Sequence, residues 1–331
     1  MPSSNRILFS FHKTSLTLLL AALAIGATQP PAGPYLVVLG IAQDGGFPQL
    51  GTPPGPEWDP AATRLVSSLA LVDPESGQRW LFDATPDIGA QVQRLDRLAG
   101  RAAGAPIVDG VFLTHAHIGH YTGLLAFGRE ALGARGVPVY AMPRMRAFLA
   151  GNGPWSQLVE LDNIRLTPLE ANVPVRLNAR LSVTPLRVPH RDEYSETVGF
   201  IITGPGSSAL YLPDIDKWEH WDKAGTRLEE VLAQVDIAWI DGTFMADGEI
   251  PGRAMAEIPH PFMVETMARI DAQAPELRQR IRFIHLNRTN PALLRDALGA
   301  SSPAADELVQ RGFAVAREGD VWSLAGASLS P

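Results

Sequence analysis

The stretch LTHAHIGHY, residues 113–121, governs the interpretation of this sequence because it places three histidines within six positions. It overlaps the end of an apolar, strand-like run at 110–113. Side chains two residues apart on an extended chain point to the same side, so His115 and His117 can bind one ion. His120 begins the next element and turns away, toward a second, adjacent ion. The alternative, three solvated loop histidines, is rare after a buried strand, so the spacing indicates a two-metal site.

Three further metal-binding side chains occur just beyond other apolar, strand-like runs, and they are His190, Asp214 and His285. Functional sites are usually built in the loops that follow such strands. Any one of these residues alone could be a loop residue with local hydrogen bonds. Together with the histidine cluster they predict one shared site, in which Asp214 is the natural carboxylate to bridge two divalent ions.

The composition narrows the kinds of site that are possible. The chain has 331 residues, with 46% hydrophobic and 19% charged residues, a formal net charge of -7 and no cysteine. The absence of cysteine excludes disulfides, thiolate metal sites and a cysteine nucleophile. Any metal must therefore be held by histidine and carboxylate, which suits zinc, manganese or iron. There is no basic block, which argues against a nucleic-acid partner.

The N-terminus has the pattern of a targeting segment. Two basic residues precede the apolar run 16–25, and small residues follow it. We predict a secretory signal peptide at 1–27 and a protein that is periplasmic or secreted. The run is shorter than the roughly 20 residues of a membrane span, although an uncleaved anchor is the alternative. If the segment is a signal peptide, contact with the membrane occurs only through it and only before cleavage. A linker at 28–34 and one domain at 35–331 follow.

Beyond the N-terminus, strand-like runs alternate with helical periodicity. The predicted strands are 35–41, 67–72, 79–82, 108–113, 182–187, 198–203, 208–212, 235–240 and 281–284. The predicted helices are 86–98, 122–132, 219–234 and 261–270. This alternation indicates a layered α/β domain.

The motif at 114–120, taken with His190, Asp214 and His285, resembles that of the metallo-β-lactamase superfamily. The stretches GIAQDGGFPQ, DGTF and FIHLNRTNP resemble, within it, the pyrroloquinoline-quinone biosynthesis protein B group. The resemblance covers nearly the whole chain after the signal segment. It implies a four-layer αββα sandwich with the metal site at one edge.

The resemblance also implies which residue binds which ion. One ion would be held by His115, His117 and His190, and the second by His120 and His285, with Asp214 bridging the two. The expected cofactor is Zn²⁺, one or two ions per chain, with Mn²⁺ or Fe²⁺ as alternatives. A hydroxide held between the ions would attack a carbonyl or phosphoryl centre of a small-molecule substrate. This gives Asp214 a catalytic as well as a metal-binding role.

Gly119 is the main departure from the family, which usually has an acidic residue there that binds the second ion. We therefore expect weaker occupancy of the second site, and Asp44 in the glycine-rich first loop could fill the gap.

His260 falls where the related phosphodiesterases carry a histidine that protonates the leaving group. It is either a catalytic acid or a loop histidine. Asp83 and Asp241 could support the metal-binding histidines from behind, and Asp241 could instead cap a turn.

These observations favour an exported metal-dependent hydrolase acting on a lactone, an amide or a phosphodiester. One alternative is a pyrroloquinoline-quinone biosynthesis-type protein that acts on a cofactor precursor. Members of that group often lack the first two histidines, whereas this chain has His115 and His117. The other alternative is a non-catalytic metal-binding carrier, which Gly119 motivates. The sequence predicts no oligomeric state.

Overall fold

The structure is a computed structural model that describes residues 31–293 and 302–326. The predicted signal peptide at 1–27 and the first residues of the predicted linker lie outside the described residues. Among the residues that are described, no helix is both long and apolar enough to cross a membrane.

The strands, in chain order, are β1 (Tyr35–Gly40), β2 (Ser68–Asp73), β3 (Gln78–Phe82), β4 (Gly110–Phe112), β5 (Val137–Ala141), β6 (Ile164–Pro168), β7 (Val175–Arg176), β8 (Ser182–Arg187), β9 (Val198–Thr203), β10 (Ser208–Leu212), β11 (Ile237–Asp241), β12 (Ile281–Ile284), β13 (Ala314–Val315) and β14 (Val321–Ser323). The α-helices are α1 (Ile88–Ala99), α2 (Ile118–Tyr121), α3 (Pro143–Gly151), α4 (Trp155–Glu160), α5 (Trp218–Lys223), α6 (Leu228–Ala233), α7 (Met263–Gln273) and α8 (Pro303–Gln310). Short 3-10 helices occur at Pro56–Trp58, Thr122–Phe127, Met255–Glu257 and Pro275–Arg280.

The described strands form two seven-stranded sheets. The first has the order β14-β1-β2-β3-β4-β5-β6, and the second has the order β13-β12-β11-β10-β9-β8-β7. Aromatic rings join the two sheets across the core, for example Phe82 of β3 and Phe200 of β9, whose ring centroids are 5.6 Å apart.

The four-layer arrangement follows from strands that are buried on both faces. Along β1, Leu36 and Val38 belong to the core shared by both sheets, whereas Val37 and Leu39 belong to a second core that includes Leu95 of α1. Successive side chains of a strand point to opposite faces, so a strand with apolar neighbours on both sides is a continuous apolar run. The αββα sandwich expected from the resemblance is therefore confirmed.

The direction of the strands brings the chemistry to one edge. In the second sheet β10, β11 and β12 are parallel, and β8 has the same direction because two antiparallel pairings separate it from β10. In the first sheet β3 and β4 are parallel, and β1 shares their direction by the same reasoning. The predicted ligands follow the ends of these strands, and loops at the carboxyl ends of parallel strands commonly hold ligands.

Two of the predicted helices are wrong in extent. The helix predicted at 122–132 is a 3-10 helix, Thr122–Phe127, after the short α2. The helix predicted at 219–234 is divided into α5 and α6 because Gly225, with φ +88°, takes the left-handed conformation that ends α5.

Candidate metal centre

The histidine motif is held between the two sheets by its backbone. The Thr114 amide donates to Asp83 Oδ1 over 2.8 Å, and the Thr114 carbonyl accepts from the Val198 amide over 3.1 Å. His117 is extended, with φ -97° and ψ 151°, and it is the residue at which α2 begins. The extended path before a helix therefore places His115 and His117 as the sequence predicts.

The first group of potential ligands comprises His115, His117, His190 and Asp214, whose ligand atoms lie within 4.8 Å of one another. His115 Nε2 is 3.2 Å from Asp214 Oδ2, and His190 Nε2 is 3.3 Å from Asp214 Oδ1. His117 Nδ1 is 3.3 Å from His190 Nε2. This is the set expected for the first ion, with Asp214 at its border.

The second group comprises Asp44, His120 and His285. Asp44 Oδ1 is 3.4 Å from His120 Nε2 and 4.0 Å from His285 Nε2. The same two ring nitrogens are 3.7 and 3.8 Å from Asp214 Oδ2. Asp214 therefore borders both groups, which is the position that a bridging carboxylate requires. All six predicted ligands are brought together, and Asp44 joins them.

Several donor atoms of this cluster are buried without a hydrogen-bond partner among the described residues. They are His115 Nε2, His120 Nε2, His285 Nε2, Asp44 Oδ1 and Asp214 Oδ1. A buried polar atom that forms no hydrogen bond costs free energy, so each such atom requires an explanation. Imidazole nitrogens and carboxylate oxygens in this arrangement fit a divalent ion such as zinc, manganese or iron.

The opposite nitrogen of each ligand histidine is already occupied. The contacts are His115 Nδ1 to Thr114 Oγ1 at 3.0 Å, His117 Nε2 to Glu193 Oε2 at 3.0 Å, His120 Nδ1 to Asp83 Oδ2 at 2.8 Å, His190 Nδ1 to Asp216 Oδ1 at 2.9 Å, and His285 Nδ1 to Thr243 Oγ1 at 3.0 Å. Such outer contacts orient a metal-binding ring and select its tautomer. Asp83 lies behind His120 as expected. Glu193 and Asp216 were not singled out from the sequence.

The surroundings of Asp214 and His115 favour the protonation states in which these two groups bind a metal. Burial opposes ionisation of Asp214, but His190, His260 and His285 hold its pKa well below the usual value. Burial, reinforced by His120, keeps the pKa of His115 well below the usual value. An ionised carboxylate and a neutral imidazole are the forms that coordinate a metal.

His260 forms a separate pair with Asp241. Its Nδ1 donates to Asp241 Oδ2 over 2.7 Å and lies 3.2 Å from Asp214 Oδ1. Burial lowers the pKa of His260, but Asp241 and Asp214 outweigh it and raise the pKa to about 9. Asp241 and His260 are already bonded to each other, so this trio is better suited to holding a proton than a third ion. Asp241 also accepts hydrogen bonds from Thr243, so it both supports His260 and caps a turn.

Comparisons with known proteins identify the family of the chain. The family model described as "Beta-lactamase superfamily domain" matches residues 78–285. Coenzyme PQQ synthesis protein B of Pseudomonas fluorescens (strain Pf0-1) is 30% identical in an alignment that covers 86% of this chain and 98% of the relative. The protein of the same name from Cupriavidus necator is 29% identical and covers 85% and 97%.

Two solved structures share the fold. The Zn(2+)-bound PqqB from Methylobacterium extorquens has a TM-score of 0.69 at 24% identity, over 88% of this chain and 100% of that one. A diphosphatase from the PhnP family has a TM-score of 0.56 at 21% identity, over 87% and 96%. At these identities the likeness shows the αββα fold alone.

Proposed function

This chain belongs to the metallo-β-lactamase superfamily, within the family of coenzyme PQQ synthesis protein B, and on that premise we propose that it is an exported metal-dependent hydrolase. Its substrate class is a small lactone, amide or phosphodiester. The observation that carries the proposal is the set of buried, unpartnered nitrogen and oxygen atoms that surrounds Asp214 within the described part of the chain. Export is supported by the signal-like pattern at 1–27.

His115, His117 and His190 would hold one ion, and His120 and His285 would hold a second, with Asp214 available to both groups. When bound, such ions polarise a substrate oxygen and acidify water. The protein contributes orientation, because Thr114, Asp83, Thr243, Asp216 and Glu193 fix the ligand rings from behind. Asp214 contributes a buried negative charge that offsets the charge of the ions.

His260 is the proton donor in this proposal. Its Nδ1 proton is held by Asp241, so the proton at Nε2 is the one available to a departing alkoxide or amine. The buried carboxylates that raise its pKa keep the ring protonated near neutral pH. A positioned acid of this kind contributes about 10²- to 10⁴-fold to a rate.

A second candidate is a biosynthetic protein that acts on a precursor of the coenzyme PQQ. It is favoured by the 30% identity to coenzyme PQQ synthesis protein B over 98% of that relative. The retained His115 and His117 favour the hydrolase. If the precursor is processed in the cytosol, the cellular location of the protein distinguishes the biosynthetic protein from the exported hydrolase. Cell fractionation that recovers a shortened chain in the periplasm or the medium supports the exported hydrolase.

The decisive experiment measures metal content and turnover in the same preparation. The protein is purified from cells without added metal and assayed with bis(p-nitrophenyl) phosphate, a lactone and nitrocefin. Turnover that His117→Ala abolishes and Asp59→Ala preserves supports the proposal. Asp59 is a suitable control because its exposed side chain lies outside both ligand groups.

Two other results would reject the hydrolase. Ligand binding in stoichiometric amounts without consumption, in a metal-loaded protein, would indicate a carrier. Absence of bound metal even after zinc or manganese is supplied would remove the basis of the proposal altogether.

A further inference from the structure

We propose that Asp44 is a ligand of the second ion and that position 119 is glycine because any side chain there would displace the Asp44 carboxylate. The inference rests on the proposed function in requiring a two-ion centre. It replaces the expectation that the second site is weakened by Gly119, since the missing acidic group is supplied from a different loop.

The space at position 119 carries the first step. A Cβ atom built on Gly119 would lie 2.2 Å from Asp44 Oδ1 and 2.6 Å from Asp44 Cα. Contacts this short are not tolerated, and the Cα belongs to backbone that cannot rotate away. Gly119 lies within α2 and does not have a positive φ. Its backbone conformation would therefore accept any residue, and the need for glycine is purely one of space.

The second step is that the Asp44 loop is firmly placed. The Gln43 amide donates to the Leu286 carbonyl over 2.9 Å, and Ala42 forms an isolated bridge with Leu286. Leu286 is the residue after His285, so the loop that carries Asp44 is fixed beside a ligand of the second group. The Gly46 amide closes the turn by donating to the Gln43 carbonyl over 2.7 Å. These backbone contacts therefore hold Asp44 beside the second group.

The third step is the environment of the carboxylate. Asp44 Oδ1 is buried, faces the Nε2 atoms of His120 and His285, and accepts no hydrogen bond from any described residue. Neither nitrogen has a hydrogen-bond partner among the described residues. One oxygen and two nitrogens that converge without bonding one another match the donor types of a divalent ion. With Asp214 shared, the second group has as many protein donors as the first.

The test counts ions instead of measuring turnover. Wild-type protein and variants are stripped of metal, titrated with Zn²⁺, and analysed for bound metal; Co²⁺ titrations followed by visible absorption report the coordination of each ion. We expect two ions in wild type. Asp44→Ala should retain one tight ion and bind the second at least about tenfold more weakly. Asp59→Ala, an exposed aspartate of the following loop, is the matched control and should bind two.

Gly119→Ala supplies an independent arm because it removes no ligand atom. It should also lose the second ion, through displacement of Asp44. Asp44→Asn, which keeps the shape of the side chain and removes its charge, should also bind the second ion more weakly. Circular dichroism and the retained first ion show that each variant is folded. If one variant fails to fold, the other two still test the proposal.

The proposal is overturned if Asp44→Ala and Gly119→Ala bind the second ion as tightly as wild type does. It is also overturned if folded wild type binds one ion only, although the hydrolase proposal then survives on a single ion. If the wild-type protein binds no ion, both this inference and the hydrolase proposal are rejected. The failure of this inference is therefore distinguishable from failure of the proposed function.

Discussion

Which nitrogen of each histidine is left free decides how the centre can work. Each histidine of the two candidate groups has one nitrogen fixed by a neighbouring oxygen, and the other nitrogen faces Asp214 or Asp44. Among these supporting residues, Asp83 is fully buried and contacts both Thr114 and His120. It also has φ +68°, an uncommon conformation for a non-glycine residue that suggests a functional constraint.

Asp83→Asn should weaken Zn²⁺ binding about 10- to 100-fold. An amide turned to accept from His120 Nδ1 cannot supply the charge of the carboxylate, and turned the other way it presents a donor to a donor. Competition with a chromophoric chelator measures the affinity. Asp59→Asn serves as the control, and an Asp83→Asn protein with unchanged affinity would contradict the prediction.

His260→Gln should lower kcat by about 10²-fold or more while leaving bound metal unchanged. Glutamine retains a polar group beside Asp241 but has no proton to give at neutral pH. Steady-state kinetics on the substrate identified by the screen, together with elemental analysis, separates the two effects. Loss of metal in this variant would reassign His260 to the ligand set.

The convergence of the six candidate ligands was predictable because each occurs at or just beyond the end of an apolar strand, and strand ends can be recognised in the sequence. Glu193 and Asp216 were not, because their partners depend on how loops are folded. The Asp216 amide donates to the Pro189 carbonyl over 2.8 Å, and this long-range bond brings its side chain to His190. Nothing in the local pattern of either segment indicates that pairing.

At the scale of elements, the segment after the histidine motif is determined by close packing. The Gly123 amide donates to the Ala84 carbonyl over 2.9 Å, and a Cβ there would lie 2.0 Å from the Thr85 carbonyl oxygen. Apolar periodicity predicted a long helix at 122–132, but this approach to the loop after β3 produces a 3-10 helix instead. The sequence pattern could not indicate this close contact.

Gly123→Ala should lower the free energy of unfolding by about 2 kcal/mol, because the loop after β3 must move to admit the methyl group. Urea denaturation measures the change. Gly89→Ala in α1 is the matched control, since a methyl group there meets nothing within 4 Å and helix propensity favours alanine by up to about 1 kcal/mol. Equal effects of the two substitutions would refute the packing argument.

At the scale of the whole molecule, a partly buried ionic contact joins the two sheets. Asp73 at the end of β2 accepts from Asn178 over 2.9 Å and pairs with Arg180, both from the connection between β7 and β8. Burial opposes ionisation of Asp73, but Arg180 and Ser76 outweigh it and hold its pKa below the usual value. A lowered pKa in the folded state means stabilisation that is present above the unfolded pKa and lost as the pH falls through the folded one.

Asp73→Asn should therefore lower the free energy of unfolding by about 2 kcal/mol at pH 7. The difference from wild type should shrink once the pH falls below about 4, the ordinary pKa of an aspartate, as the wild-type carboxylate becomes protonated. Denaturation curves across this range provide the measurement. A difference that does not change with pH would show that shape, and not charge, is what Asp73 contributes.

The centre draws its donors from both sheets, from Asp44 after β1 to His285 after β12. Ions held there would cross-link distant parts of the chain, and unfolding would have to release them. The free energy of unfolding then depends on the free ion concentration, rising by about 2.7 kcal/mol per bound ion at one hundred times the dissociation constant. The thermal resistance of this protein would thus be set partly by the mineral content of its surroundings.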